Sequence, residues 1–354
     1  MKTPLMADPE ILGGTAVLPT PSPDTLPGKR LRISHVGAAR VAPTFAEDVR
    51  HGLTSTPKTL YPKYFYDELG SRLFEAITAL PEYYPTRAEA EILRDRAGEI
   101  VAALGGPLWL LELGSGDGQK TRLVIEALLA RQGELEYVPV DISESAVEVS
   151  SRALLLSYPD LRITGYVGEY QTALRAIRRE RRAPGCTLVL FLGSTLGNLD
   201  PRERSELLRD VRALLNPGEG FLLGVDLKKD ESVLIPAYDD ALGVTAAFNL
   251  NLLGRINREL GGEFDLGAFR HRALYNREAG RIEMHLESRR AQTVAIRALS
   301  LEVPFAAGET IHTESSYKFD REQIAALAAD TGFELRGTWT DEAGRFASNL
   351  LVAR

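Results

Sequence analysis

Residues 108–120 read LWLLELGSGDGQK, and the reading of this stretch decides the fold. The apolar run Leu108, Trp109, Leu110 and Leu111 has Gly106-Pro107 before it and glycines after it, which marks a buried parallel strand. Glu112 follows, then glycine at 114, 116 and 118, then a helical pattern from Lys120 to Ala130. Glycine lets the backbone turn sharply and approach a ligand closely, because no Cβ intervenes. A strand running through a glycine turn into a helix is the nucleotide-binding crevice of a doubly wound sheet.

The spacing refines this. A dinucleotide fingerprint is G-x-G-x-x-G, whereas here the third glycine arrives one position sooner and an acid precedes the set: E-x-G-x-G-x-G. That pattern resembles motif I of the class I S-adenosylmethionine (SAM) methyltransferases. The next strand, EYVPVD at 136–141, ends in Asp141, where a ribose hydroxyl pair is gripped in such folds.

Composition sets limits on partners. The chain has 354 residues, enough for two domains or for one with a large insertion. A net charge of −7 argues against a nucleic-acid partner, which leaves a basic footprint. The basic cluster Arg175–Arg182 contains Glu180 and reads as a solvated helix end. The single cysteine, Cys186, excludes an internal disulfide and a thiolate zinc cluster, and no metal is expected. No apolar run approaches the ~18 residues of a membrane span, and no signal-peptide core is present, so a cytoplasmic enzyme is expected. Six prolines within residues 1–33 mark a disordered leader.

Strands and helices then alternate as a parallel sheet with crossover helices requires. Strands are expected at 109–113, 137–141, 163–168, 187–192 and 220–226, with helices at 121–131, 144–158, 170–180 and 201–215. Upstream, helices are expected at 44–52 and, with Thr86 as N-cap, at 87–103. After Asp226 the rhythm changes to a long helical stretch, interrupted near Gly243, and then to antiparallel strands. Residues 321–354 return to a helix and a closing hairpin. The fold class is therefore α/β: a Rossmann-like, class I methyltransferase sheet with a second, substrate-binding domain inserted before the C-terminal hairpin. The expected division is a leader at 1–33, a substrate-binding domain at 34–85 and 227–317, and a SAM-binding domain at 86–226 and 318–354.

Three places near the carboxyl edge of the sheet carry chemistry. Lys120, near a helix N-terminus, can pair with the carboxylate of an amino-acid-like cofactor tail; an exposed helix lysine is the equal alternative. Glu169 and Tyr170 follow the third strand, where an acid meets an adenine or simply favours a helix N-terminus. Asn198 ends the polar loop FLGSTLGN, either as a donor to a substrate carboxylate or as a turn residue.

The stretches YFYDELGS (64–71), LPEYYPTRAE (80–89), LELGSGDGQKTR (111–122), FLGSTLGN (191–198), AYDDALGVTAAFNLN (237–251), RIEMHL (281–286) and TESSYKF (313–319) occur in this order. Together they resemble the histidine Nα-methyltransferase family of ergothioneine biosynthesis. The resemblance implies that SAM is the methyl donor, held by Gly114, Lys120, Asp141, Glu169 and Tyr170. It implies that L-histidine is held at its carboxylate and amine end by Tyr83, Asn198 and Tyr238. The imidazole would be read by Glu314 and Ser316 of the TESS stretch, with Ser315 between them in the same set, and walled by Met284. Tyr66 is the candidate to hold the amine and pass on its proton. The implied reaction is trimethylation of the histidine α-amine by a monomeric enzyme. Alternatives are the same fold acting on another aromatic amino acid or amine, and a SAM-binding module that no longer turns over.

A carboxylate and a hydroxyl are a complementary pair for a ring that offers an N–H and a bare nitrogen. Glu314 and Ser316 lie two apart on an expected strand, so both side chains share one face.

Overall fold

The computed structural model describes residues 30–37, 44–180 and 186–354. The chain opens with strand β1 (Leu31–His35), helix α1 (Phe45–Thr54), strand β2 (Lys58–Thr59), helix α2 (Glu68–Thr78) and helix α3 (Pro85–Ala102). The alternating body follows: β3 (Leu108–Leu113), α4 (Thr121–Gln132), β4 (Leu135–Asp141), α5 (Glu144–Ser157), β5 (Leu161–Val167), α6 (Tyr170–Glu180), β6 (Cys186–Phe191), α7 (Pro201–Leu214) and β7 (Gly220–Asp226). The inserted stretch holds α8 (Glu231–Leu234), α9 (Val244–Leu260), β8 (Phe269–Asn276), β9 (Arg281–Ser288), β10 (Gln292–Ile296), β11 (Leu301–Phe305) and β12 (Thr310–Tyr317). Helix α10 (Arg321–Asp330) and the hairpin β13 (Phe333–Thr340) and β14 (Phe346–Ala353) close the chain. Among the described residues no helix is long and apolar enough to cross a membrane.

The main sheet has the order β1-β5-β4-β3-β6-β7-β14-β13. Strands β1 and β3–β7 pair in parallel, and β14 joins β7 antiparallel. From β3 the chain moves outward first through β4 and β5, then returns to build β6 and β7 on the other side. The order therefore reverses at β3, and a ligand crevice opens beyond the carboxyl ends of the strands there. The glycine turn after β3 and Asp141 at the tip of β4 both lie on that edge.

Two expectations are corrected. Residues 31–33, assigned to the leader, belong to β1, because their alternating backbone pairs with the open edge of β5 from Leu31↔Ile163 to His35↔Val167. Residues 1–29 lie outside the described residues. Helix α3 begins at Pro85, with Tyr84 rather than Thr86 at its N-cap, since proline is pre-set for the first helical position. Helix α1 does start at Thr44, which caps it with a reciprocal Thr44–Glu47 capping box.

The inserted stretch builds a second sheet of order β2-β12-β9-β8 and a small hairpin, β10-β11. Its buried face shares one apolar cluster with the early helices: Val49, Leu53, Phe65 and Ile77 pack with Phe248, Leu252, Met284 and Leu286. Two segments far apart in sequence thus make one core. The insertion leaves and rejoins the main sheet at a single point. Phe319 N donates to Asp226 O at 3.0 Å and Lys228 N donates to Phe319 O at 2.9 Å, so the end of β7 and the end of β12 lie side by side.

Candidate active site

The turn after β3 carries the cofactor-like half of the site. Gly114 has φ 72°, and a Cβ on it would stand 2.8 Å from the Tyr170 hydroxyl, so glycine is required twice over. Glu112, buried at the end of β3, accepts from the Thr121 hydroxyl at 2.8 Å and also from Tyr137. Burial pushes its carboxyl up to about 8, against the opposing pull of those hydrogen bonds. Glu112 therefore ties β3 to β4 and α4 and fixes the turn from beneath. Asp141 accepts from Gly116 N at 3.2 Å and Ser143 N at 2.9 Å, and burial raises its pKa. Each carboxylate oxygen uses one acceptor site on the backbone, which leaves capacity for a pair of hydroxyls.

Lys120 sits at the N-cap of α4 with its ammonium bound to Glu89 of α3. The same Glu89 oxygen accepts from Gly193 N at 2.8 Å, which draws the loop after β6 to the turn after β3. Glu169 is exposed at the start of α6, and its carbonyl accepts the first helical N–H groups. Tyr170 lies against Phe191 at 5.7 Å, and burial holds its hydroxyl well above its usual pKa, with Asp141 and Glu112 adding to the effect.

These residues fit SAM. Asp141 has spare acceptors for the ribose and Gly114 gives close backbone access. The Lys120 ammonium spends one of its three donors on Glu89, which leaves two for a carboxylate.

The second half comes from the insertion. Glu314 and Met284 are direct cross-strand partners on β12 and β9, and Ser316 pairs with Ile282 in the same register. A β-bulge between His312 and Glu314 resets the alternation, and the Glu314–Ser316 face turns toward the core. Ser315 points the other way, bonding His312 Nε2 at 3.0 Å. The structure therefore separates Ser315 from the pair it was grouped with, as strand alternation requires.

Burial raises the Glu314 carboxyl to about 7, with the Lys318 ammonium pulling it down. Among the described residues nothing donates a hydrogen bond to it. Met284, 2% exposed, walls it on the neighbouring strand.

Tyr238 follows a short 3-10 turn (Ile235–Ala237) and is fixed from behind. Its carbonyl takes His271 Nε2 at 2.7 Å, while His271 Nδ1 meets the Asn249 amide at 2.9 Å. An amide that donates to Nδ1 assigns the hydrogen to Nε2, and burial lowers the His271 pKa, so this ring is neutral. Tyr83 meets Tyr238 edge-on at 6.4 Å and Phe74 at 6.1 Å. Tyr66, packed on Phe74 and Phe248, shows 40% of its surface. Burial first, then Glu314, Tyr83, Tyr170 and Tyr238, hold its hydroxyl well above pKa 10.

Asn198 ends the short helix Thr195–Asn198 at the same edge, half-buried, with its amide unbonded among the described residues.

Five residues escaped the sequence reading: Asp226, Tyr84, Lys229, Lys318 and Glu89. Asp226, at the tip of β7, accepts from Tyr84 at 2.8 Å, Lys229 at 2.6 Å and Lys318 at 2.8 Å. Burial alone would raise its pKa, but the ammonium groups of Lys318 and Lys229 hold it below its usual value. Lys318 also donates to Tyr238 and Ser316, and Glu89 grips Lys120. A signal existed for two of them. Asp226 ends a strand as Asp141 does, and Lys318 continues the two-residue period of Glu314 and Ser316.

Comparison with known proteins agrees with this geometry. Residues 45–353 match the family model described as histidine-specific methyltransferase, SAM-dependent. A histidine N-alpha-methyltransferase of Mycolicibacterium smegmatis is 47% identical over 321 residues, 90% of this chain and 98% of that one. The protein of that name from Mycobacterium tuberculosis is 44% identical, over 90% of this chain and 97% of its own. Ergothioneine biosynthesis protein 1 of Neurospora crassa is 30% identical over 80% of this chain and 32% of its own length. With a family model spanning nearly all of the described residues and relatives this similar, the chain belongs to the SAM-dependent, histidine-specific methyltransferase family.

Proposed function

We propose that this enzyme transfers methyl groups from SAM to the α-amine of L-histidine until hercynine, Nα,Nα,Nα-trimethylhistidine, is formed, a step of ergothioneine biosynthesis. The observation that carries the reading is Glu314: a buried carboxylate without a protein donor, two residues from a buried hydroxyl and beside Met284. A buried acid without a partner is costly, and an imidazole N–H removes that cost.

When bound, SAM supplies an electrophilic methyl on sulfur, which the amine nitrogen takes by in-line displacement. Gly114, Lys120, Asp141 and Tyr170 are assigned to hold it, with Glu169 at the rim. Glu314 and Ser316 orient the ring, and Tyr83, Asn198 and Tyr238 orient the amino-acid end. Tyr66 keeps its own proton, because its pKa is held well above 10. Its role is therefore to accept an N–H of the amine and aim the lone pair, not to act as a phenolate base.

The same proposal assigns residues 86–226 and 318–354, with β1 added, to SAM, and residues 44–85 and 227–317 to histidine. The shared core of those last two segments supports it.

The test is an assay of the purified enzyme with SAM and each of the twenty amino acids, read by mass spectrometry. Histidine should be preferred and should end as the α-trimethylated product. A preference for another amino acid, or methyl on a ring nitrogen, would overturn the reading. Glu314→Ala should lower histidine kcat/KM by about 10- to 150-fold, the equivalent of ~1.5–3 kcal/mol.

A further inference from the structure

Lys318 stands where the insertion rejoins the sheet, and its side chain is 0% exposed. Its ammonium carries three hydrogens, and three acceptors surround it: Asp226 Oδ2 at 2.8 Å, the Tyr238 hydroxyl at 2.7 Å and Ser316 Oγ at 2.9 Å. The last two also bond each other, at 2.8 Å.

A count of hydrogens follows from these distances. Both hydroxyl oxygens accept from Lys318, so neither hydroxyl hydrogen points back at it. One of the two hydrogens fills the Tyr238–Ser316 bond. The other is left over and turns into the pocket. Tyr238 is a phenol throughout, since burial and Asp226 hold its pKa well above 10.

We infer that Lys318 is a positioning residue that sets specificity: it restricts the Tyr238–Ser316 pair to a single outward hydrogen, which with ionised Glu314 leaves one donor and one acceptor facing the substrate ring. That is the complement of a neutral imidazole, which has one N–H and one bare nitrogen. This deepens the histidine reading above and rests on it. Ser316 shares its strand face with Glu314, so Tyr238 donates to Ser316 and Ser316 donates to the ring nitrogen. Tyr238 then keeps no hydrogen for the substrate carboxylate, and acts as an acceptor toward the amine. A ring lacking either nitrogen function strands one buried polar atom of the enzyme.

The arrangement depends on where Lys318 is anchored. Asp226 is the acceptor that fixes it, and Lys229 and Tyr84 hold Asp226 from the other side. Without Lys318 the two hydroxyls are free to rotate, and the pair can present acceptors as readily as a donor.

The experiment compares histidine with 3-(2-thienyl)alanine, whose five-membered ring has neither an N–H nor a ring nitrogen. In wild type, histidine should be strongly preferred. In Lys318→Met the ratio of kcat/KM values should fall about ten- to hundred-fold, chiefly through KM for histidine. Calorimetric affinity for S-adenosylhomocysteine should stay within about twofold, as the cofactor half does not touch Lys318. If both substrates lose kcat/KM equally, Lys318 is only structural and the inference falls. Should Lys318→Met not fold, Lys318→Met/Asp226→Asn, which removes the carboxylate that Lys318 leaves behind while Lys229 keeps the Leu227 carbonyl as an acceptor, is read by the same ratio. A wild type without preference for histidine would overturn the functional reading and this inference together. A wild type that prefers histidine with an unmoved variant ratio would overturn only this one.

Discussion

Glu89 on α3 and Gly224 on β7 share one volume: Glu89 Oε1 lies 1.8 Å from the point that a Gly224 Cβ would occupy. Glu89 is 0% exposed, and its other oxygen holds both Lys120 and the Gly193 N–H. A glycine in the middle of a buried strand normally weakens it. Here it makes room for the acid that ties α3 to the turn after β3 and the loop after β6.

From this, Gly224→Ala should destabilise the protein by about 2–4 kcal/mol, because its methyl displaces Glu89 and breaks a buried ion pair. In a Glu89→Ala background the same change should cost under about 1 kcal/mol, since only the Phe346 ring, 3.3 Å from that point, then crowds the methyl. Urea unfolding of the two single variants and the double variant closes the cycle. Additive losses would show that the two residues do not compete.

Asp141 has its backbone bonds to Gly116 and Ser143 and spare acceptor capacity toward the crevice. Asp141→Ala should weaken S-adenosylhomocysteine binding by roughly 1.5–3 kcal/mol, the worth of a charge-assisted hydrogen bond. Histidine affinity should change much less. Titration calorimetry reads both, and unchanged nucleoside affinity in a folded variant would remove Asp141 from the cofactor site.

Glu314 should leave a mark on stability as pH changes. Burial raises its carboxyl from an ordinary 4.5 to about 7, so the folded protein binds this proton more tightly than the unfolded chain. The acid is protonated in both states at the lowest pH. As pH climbs from 4.5 to about 7, the unfolded chain releases the proton first and stability is lost. Above that range the cost is roughly 3 kcal/mol. Glu314→Gln lacks this penalty, so its advantage over wild type should grow from near zero at low pH to a plateau above neutrality. Denaturant unfolding of the substrate-free enzyme across that range measures the difference. A difference independent of pH would mean that Glu314 is not buried as a free acid.

Much of this molecule is written in local sequence. The strand–glycine–helix unit at 108–132, the acid at the end of β4 and the alternation through Asp226 are short-range patterns. Each depends on neighbours a few positions apart, whose backbone sterics and apolar period act the same way in any context. Strand alternation also set Glu314 and Ser316 on one face, and the ordered motifs pointed to the cofactor and the substrate.

What the tertiary structure decided lies in pairs that no local pattern encodes. Leu31–His35 is a strand only because β5 presents an open edge, more than a hundred residues away. Glu89 reads as a surface residue on a charged helix until β7 supplies a glycine beneath it and α4 a lysine beside it. Lys318 and Asp226 stand 2.8 Å apart because the insertion closes on the sheet at that point. A charge is stable in a protein interior only when its partner is already fixed there. The sequence names both members of such a pair, but the packing of the two sheets brings them together.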